Sequence, residues 1–146
     1  MRLTYEEIME YVTLHNLFLL GESGGKKMDL LNANLYGVSL IGANLKSVSL
    51  EGANLKRSLL WNANLEEANL KGAFFKHAIW QGANLKNAQL QGSSLKGANL
   101  DETILSGANL HGADLDDATF SGAVYDQKTI WPDQFDPKLS GAVFIS

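Results

Sequence analysis

The chain has no cysteine, so it forms no disulfide and offers no thiol to chemistry. Its two prolines, Pro132 and Pro137, both lie near the C-terminus. Histidine is scarce: His15, His77 and His111 are the three present, and no two have metal-ligand spacing on one element. Asp114, Asp116 and Asp117 lack the spacing and the glycine of a calcium loop. Serines such as Ser47, Ser49 and Ser58 have no base placed to activate them. No apolar run approaches the roughly 20 residues that a membrane span needs. The start, Met1 to Glu7, is acidic, and the apolar run after it has no small-residue cleavage site, so no signal peptide is expected. The expectation is a soluble, cytoplasmic, non-enzymatic chain with no metal and no cofactor.

What the chain does have is a period of five. From Met28 to Gln127 the pattern runs without an insertion or deletion. Twenty centres, Leu30, Leu35 and so on to Tyr125, include sixteen Leu; the others are Phe75, Trp80, Phe120 and Tyr125. Two residues before the centre, fourteen of the twenty are Ala. Just before the centre, ten are Asn or Asp. A fixed short period marks an array architecture.

Five residues suit neither a helix nor a straight strand. They advance a helix by about 500°, which smears Leu around the axis. In a strand an odd period sends alternate Leu to opposite faces. The chain must therefore turn once per repeat. The small residue and the centre point inward, and the rest face solvent. Gly or Asn two after the centre suits the positive φ of a type II turn. In alternate units this position is Gly or Asn nine times in ten, and in the others four times in ten. That predicts two alternating turn types and an even number of sides. Four sides of five residues make a coil of about twenty residues whose core Leu can fill.

The units, such as Ala53-Asn54-Leu55-Lys56-Arg57, resemble the pentapeptide repeat family. The run Tyr125 to Pro137 resembles the tail of cyanobacterial members. The resemblance implies an all-β solenoid: a right-handed quadrilateral β-helix of about five coils. Residues 1–25 are expected to form an N-terminal helical cap and linker, 26–127 the β-helix and 128–146 an irregular C-terminal cap. Thr4 and Glu7 form a capping box, with Leu3 and Ile8 as a hydrophobic staple. Ile8, Tyr11, Val12, His15 and Phe18 or Leu19 follow helical spacing, and Gly21 ends the helix. Gly21 to Lys27 has the wrong spacing for a phosphate loop and reads as a linker. Trp131, Phe135, Val143 and Phe144 are placed to cover the last coil, and Ser140 to Phe144 echoes one repeat. The tail could also serve a dimer, although a monomer is favoured.

Residues twenty apart should stack. Lys56, Lys76 and Lys96 then form one basic column, with Arg57 and His77 beside it. On a neighbouring side Leu59 stacks with Ile79, and Ile41 with Trp61. These four stand where other repeats hold Asn, Lys or Glu, which marks a contact surface with Trp61 as its anchor. Trp80 is large for a Leu slot and could push Ile79 outward. Charge is segregated too. Residues 26–100 carry nine Lys or Arg against four acids, and residues 101–146 carry two against eight. The pattern favours an unidentified protein partner over nucleic acid.

The leading reading is a non-enzymatic protein-interaction scaffold. Family resemblance implies two alternatives. One is a DNA mimic that binds gyrase, but that role asks for an anionic rod and this middle is basic. The other is a regulator of cyanobacterial differentiation acting through a transcription factor.

Overall fold

A computed structural model describes residues 2–146. From Asp29 onward single residue pairs bridge in parallel at a separation of twenty: Asp29 with Ser49, Asn34 with Asn54, Ser39 with Leu59, Asn44 with Asn64, and so on upward. A turn falls every five residues. Each circuit therefore has four walls. The centres of the first wall are Leu30, Leu50, Leu70, Leu90 and Leu110. Those of the second are Leu35, Leu55, Phe75, Leu95 and Leu115. The third holds Leu40, Leu60, Trp80, Leu100 and Phe120, and the fourth Leu45, Leu65, Leu85, Leu105 and Tyr125. All twenty centres are buried.

Backbone groups bond between coils. On the second wall Leu35 N–H donates to Asn54 O (2.8 Å), Asn54 N–H to Ala33 O (2.9 Å) and Gly37 N–H to Lys56 O (2.9 Å). Val38 N–H closes the turn onto Leu35 O (3.1 Å). Few backbone groups are left open, as a closed core demands.

Asparagine before the centre has a specific task. Its Oδ1 accepts the N–H of the residue two further on, as Asn54 does for Lys56 (3.3 Å) and Asn84 for Lys86 (3.0 Å). This turn-stabilising bond satisfies a corner donor that the ladder leaves free. Asn side chains also bond up the column, Asn54 Nδ2 donating to Asn34 Oδ1 at 3.3 Å.

The expected alternation of turn types does not hold in the sign of φ. All nineteen corners from Asn32 to Gly122 have positive φ at the third turn position. At some corners glycine answers a second demand, from the coil beneath, where an Asn or His side chain projects over the corner twenty residues on. A Cβ at Gly107 would collide with the side chain of Asn87, whereas one at Gly42 would meet no described residue within 4 Å.

Helix α1 spans Tyr5–Leu19. Thr4 Oγ1 accepts from Glu7 N–H (3.1 Å), and Glu7 Oε2 accepts from Thr4 N–H (2.7 Å). Beyond its C-terminus Gly21 N–H donates to Phe18 O and Glu22 N–H to Leu17 O, with Gly21 at φ 71°. This is the Schellman arrangement. Ile8, Val12 and His15 are buried against the first coil, whereas Tyr11 and Phe18 stay exposed. His15 Nδ1 accepts from Met28 N–H (2.9 Å), so its other nitrogen, Nε2, donates to Lys46 O (2.8 Å). The linker doubles back on the helix, with Lys26 N–H donating to Leu14 O (2.9 Å). Before the helix, Arg2 bridges Asn34 and supplies a short stretch of pairing on the second wall.

At the other end the register breaks. Asn109 pairs with Ile130, a separation of 21. The short strands β1 (Val124–Tyr125) and β2 (Val143–Phe144) pair in parallel at a separation of 19. Asp126 bridges the break. Its Oδ1 accepts from Gly107 N–H (3.0 Å), where a carbonyl of the next coil would otherwise stand, and from Lys128 N–H (3.0 Å). Desolvation raises the Asp126 pKa, but these bonds and those from Thr129 outweigh it, and the pKa lies below the ordinary carboxylate value. Trp131 and Phe135 stack at 5.0 Å and pack edge-on against Phe120.

Candidate functional site

The core is mainly Leu and Ala, with Phe75 and Trp80 packed edge to face at 4.6 Å and fully buried. The ladder runs unbroken past Trp80: its N–H donates to Asn99 O and Leu60 N–H to Ile79 O, both at 2.7 Å. Trp80 is thus absorbed inward and does not displace Ile79. Among the described residues no helix is long and apolar enough to cross a membrane, and no group of three or more His, Asp or Glu is placed to hold a metal. The Gly21 to Lys27 segment is held against the end of helix α1. The backbone at Gly25 packs tightly against that of Leu17 and Phe18.

The sequence placed the apolar patch on a side neighbouring the Lys column; the structure brings both to one wall, the third. The Lys column stands at the corner where this wall begins. Arg57 N–H donates to Lys76 O and His77 N–H to Lys96 O (both 3.0 Å), so the column is a true stack. It runs Tyr36, Lys56, Lys76, Lys96, Asp116. Leu59 and Ile79 occupy the middle of the wall, in the bridging series Ser39, Leu59, Ile79, Asn99. Ile41 and Trp61 stand at the far corner, joined by Gly42 N–H to Trp61 O (2.8 Å). They are 52% and 45% exposed, so Ile41 is not packed under α1. The basic column and the apolar patch are the two edges and the centre of a single flat surface.

A second observation bears on Leu59 and Ile79. Each stands where Asn would accept a corner N–H. Among the described residues no side chain accepts the N–H of Trp61 or Gln81, whereas Asn99 does so for Asp101 (2.9 Å). Both are half-buried and bridge each other, and both leave that corner N–H without a side-chain acceptor.

The cations are largely unneutralised. Among the described residues the one ion pair is Lys46 with Glu66 at 3.6 Å, on another corner. Lys56 leans away from the third wall, its Nζ 5.4 Å from the centre of the Phe74 ring on the second. Phe74 was not singled out from the sequence. The signal was the same as for Leu59, an apolar residue in an Asn slot. Ile104 is a further instance, exposed on the fourth wall.

A family model for pentapeptide repeats, in eight copies, matches residues 26–62, 49–87 and 83–122. The chain belongs to the pentapeptide repeat family. The right-handed β-helix of that family is its fold. Among solved structures, this pentapeptide repeat protein is 34% identical to one from the Arabidopsis thaliana thylakoid lumen, over 61% of this chain and 62% of that one, with a TM-score of 0.59. The match spans less than two thirds of that relative's length. It is 30% identical to a pentapeptide repeat protein of Nostoc, over 91% of this chain and 93% of that one, with a TM-score of 0.36. A third, from the cyanobacterium Cyanothece, is 37% identical over 75% and 69% of the two chains, with a TM-score of 0.34. No curated protein matches at a significant level.

Proposed function

We propose that this pentapeptide repeat protein is a non-enzymatic interaction scaffold of the cytoplasm, with the third wall as its contact surface for another protein. The rod comprises about five coils, closed by α1 at one end and the tail from Lys128 at the other. One observation carries the reading: Leu59 and Ile79 replace a turn-stabilising Asn at two successive levels, between a cationic corner and Trp61. A flat wall with an aromatic anchor suits protein recognition.

Nucleic acid fits less well. The net charge is −4. The exposed rings beside the cations, Tyr36 and Phe74, already carry Arg2 and Lys56 over them. A gyrase-binding DNA mimic is disfavoured by nine Lys or Arg against four acids in residues 26–100. The test is affinity capture from the native source with the wild-type chain and with Trp61→Ala/Ile79→Ser. Capture of the same protein in equal amount by both would sink the reading.

A further inference from the structure

The third wall differs from one edge to the other. Its leading corner carries Tyr36, Lys56, Lys76, Lys96 and Asp116, with Arg57, His77 and Asp117 beside them. Its trailing corner carries Ile41, Trp61, Gln81, Asp101 and Ser121, with Glu102 next to Asp101. We propose that this wall is self-complementary and that its partner is a second copy of the chain, related by a two-fold axis along the rod. The proposal rests on reading the third wall as a contact surface.

The geometry follows from the coil. Two parallel rods related by such an axis face each other wall to wall. The leading corner of one then lies opposite the trailing corner of the other, at the same height. Adjacent corners differ by a quarter of a coil, about 1.2 Å at a strand spacing of about 4.8 Å. Tyr36 thus meets Ile41 of the second copy. Arg57 meets Trp61, a cation against an aromatic face. Lys76 meets Gln81, Lys96 meets Asp101 and Glu102, and Asp116 meets Ser121. Like charges are opposed at no level. On the axis Leu59 meets Leu59 and Ile79 meets Ile79.

Other arrangements lose this match. Reversing one rod puts leading corner on leading corner, and with the axis at Lys76 it sets Lys56 against Lys96. An acidic partner laid across the wall gains at the Lys column and is repelled by Asp101 and Glu102. The first wall is polar along its centre, through Ser49, Asn69 and Gln89. The second opposes Lys71 to Lys76. The fourth begins with Asn44, Asn64 and Asn84 and turns apolar only at Ile104. The third wall alone joins an apolar centre to corners of complementary charge. The contact is small: about 24 Å by about 13 Å, on the order of 300 Å² per copy, which sits below a standard stable interface. The dimer is therefore weak and forms with rising concentration.

Sedimentation equilibrium over a wide concentration range tests this, with folding of each variant checked by thermal melting. Wild type is expected to pass from monomer to dimer. Leu59→Glu sets two carboxylates face to face on the axis and leaves a monomer. Lys96→Glu and Asp101→Lys each weaken the dimer, by up to about fivefold per contact, made twice by symmetry. Combined, they restore it. Asp101 Oδ1 also accepts the N–H of Ser121 (2.9 Å), so Lys96→Glu with Glu102→Lys is a second swap that keeps this bond. A monomer at every concentration overturns the proposal. So does a dimer indifferent to Leu59→Glu, or one that neither swap restores. A monomer whose capture of another protein still depends on Trp61 removes self-association alone; loss of both removes the contact surface as well.

Discussion

At the scale of the residue, the interior is governed by what each slot leaves unpaired. Ser58 and Ser93 occupy Ala slots, are buried, and have hydroxyls with no hydrogen-bond partner among the described residues. Thr103 occupies the same kind of slot, but its hydroxyl donates to Leu100 O at 2.7 Å. A buried hydroxyl without a partner costs about 1–3 kcal/mol. Ser58→Ala should therefore stabilise the protein by about 1 kcal/mol, while Thr103→Ala should stabilise nothing. Denaturant unfolding of the two variants measures the difference, and a destabilised Ser58→Ala would show that the hydroxyl is satisfied. The corners give a second comparison. Gly42→Ala suffers only from its positive φ, about 1 kcal/mol. Gly107→Ala suffers that and the overlap with Asn87, so it should cost distinctly more. Asn87→Gly in the same chain should recover the excess; if the two glycines prove equivalent, side chains do not interlock between coils.

At the scale of the element, α1 was readable because its signals are local. Thr4, Glu7, Ile8 and Gly21 lie within a few residues of what they cap. The role of His15 was not readable, because its partners, Met28 and Lys46, belong to the first coil. Burial keeps the His15 pKa below its ordinary value of 6.5, with the charge of Lys27 acting the same way and the Lys46 carbonyl opposing. The sign follows. The undocked imidazole binds a proton near pH 6.5 and the docked one only at lower pH. Docking is fully favoured above 6.5 and weakens as pH falls from there through the docked value. Protonation also places a hydrogen on Nδ1, where Met28 N–H must be accepted. Amide exchange in α1 should accelerate relative to the rod between pH 7 and 5, as read by mass spectrometry. In His15→Gln the pH dependence should vanish and the helix should be looser throughout, by about 1–3 kcal/mol for the buried groups left without a partner. Equal pH dependence in both chains would remove His15 as the cause. The break at Asp126 was legible only as the end of the pattern, since the side chain that replaces a missing carbonyl leaves no mark on the period.

At the scale of the whole molecule, the unit of symmetry is twenty residues, not five. The fivefold pattern was plain in the sequence and so was the stacking of Lys56, Lys76 and Lys96. The basic column and the Trp61 patch were read on neighbouring sides; they share one wall because the column stands at its corner, with Leu59 between Lys56 and Trp61. The second reason for glycine at a corner such as Gly107 was hidden, because it depends on the residue twenty places earlier. Removing a whole coil separates these two periods. Excision of residues 68–87 joins Glu67 to Ala88, and every remaining side chain keeps its wall. Excision of residues 68–72 preserves the Leu period equally well but turns all that follows by one wall. Asn62 then lies beneath Asn87 instead of Gly82, and Leu59 beneath Asn84 instead of Ile79. In a stacked array stability is roughly a sum of nearest-neighbour terms, so a lost coil costs its own interface and leaves the others intact. The chain shortened by twenty should melt cooperatively and at a higher temperature than the chain shortened by five, although it has lost four times as much core. Circular dichroism melts of the two chains decide it: the opposite order would mean that the pattern of five alone holds the rod together, and that the columns on its walls are incidental to its stability.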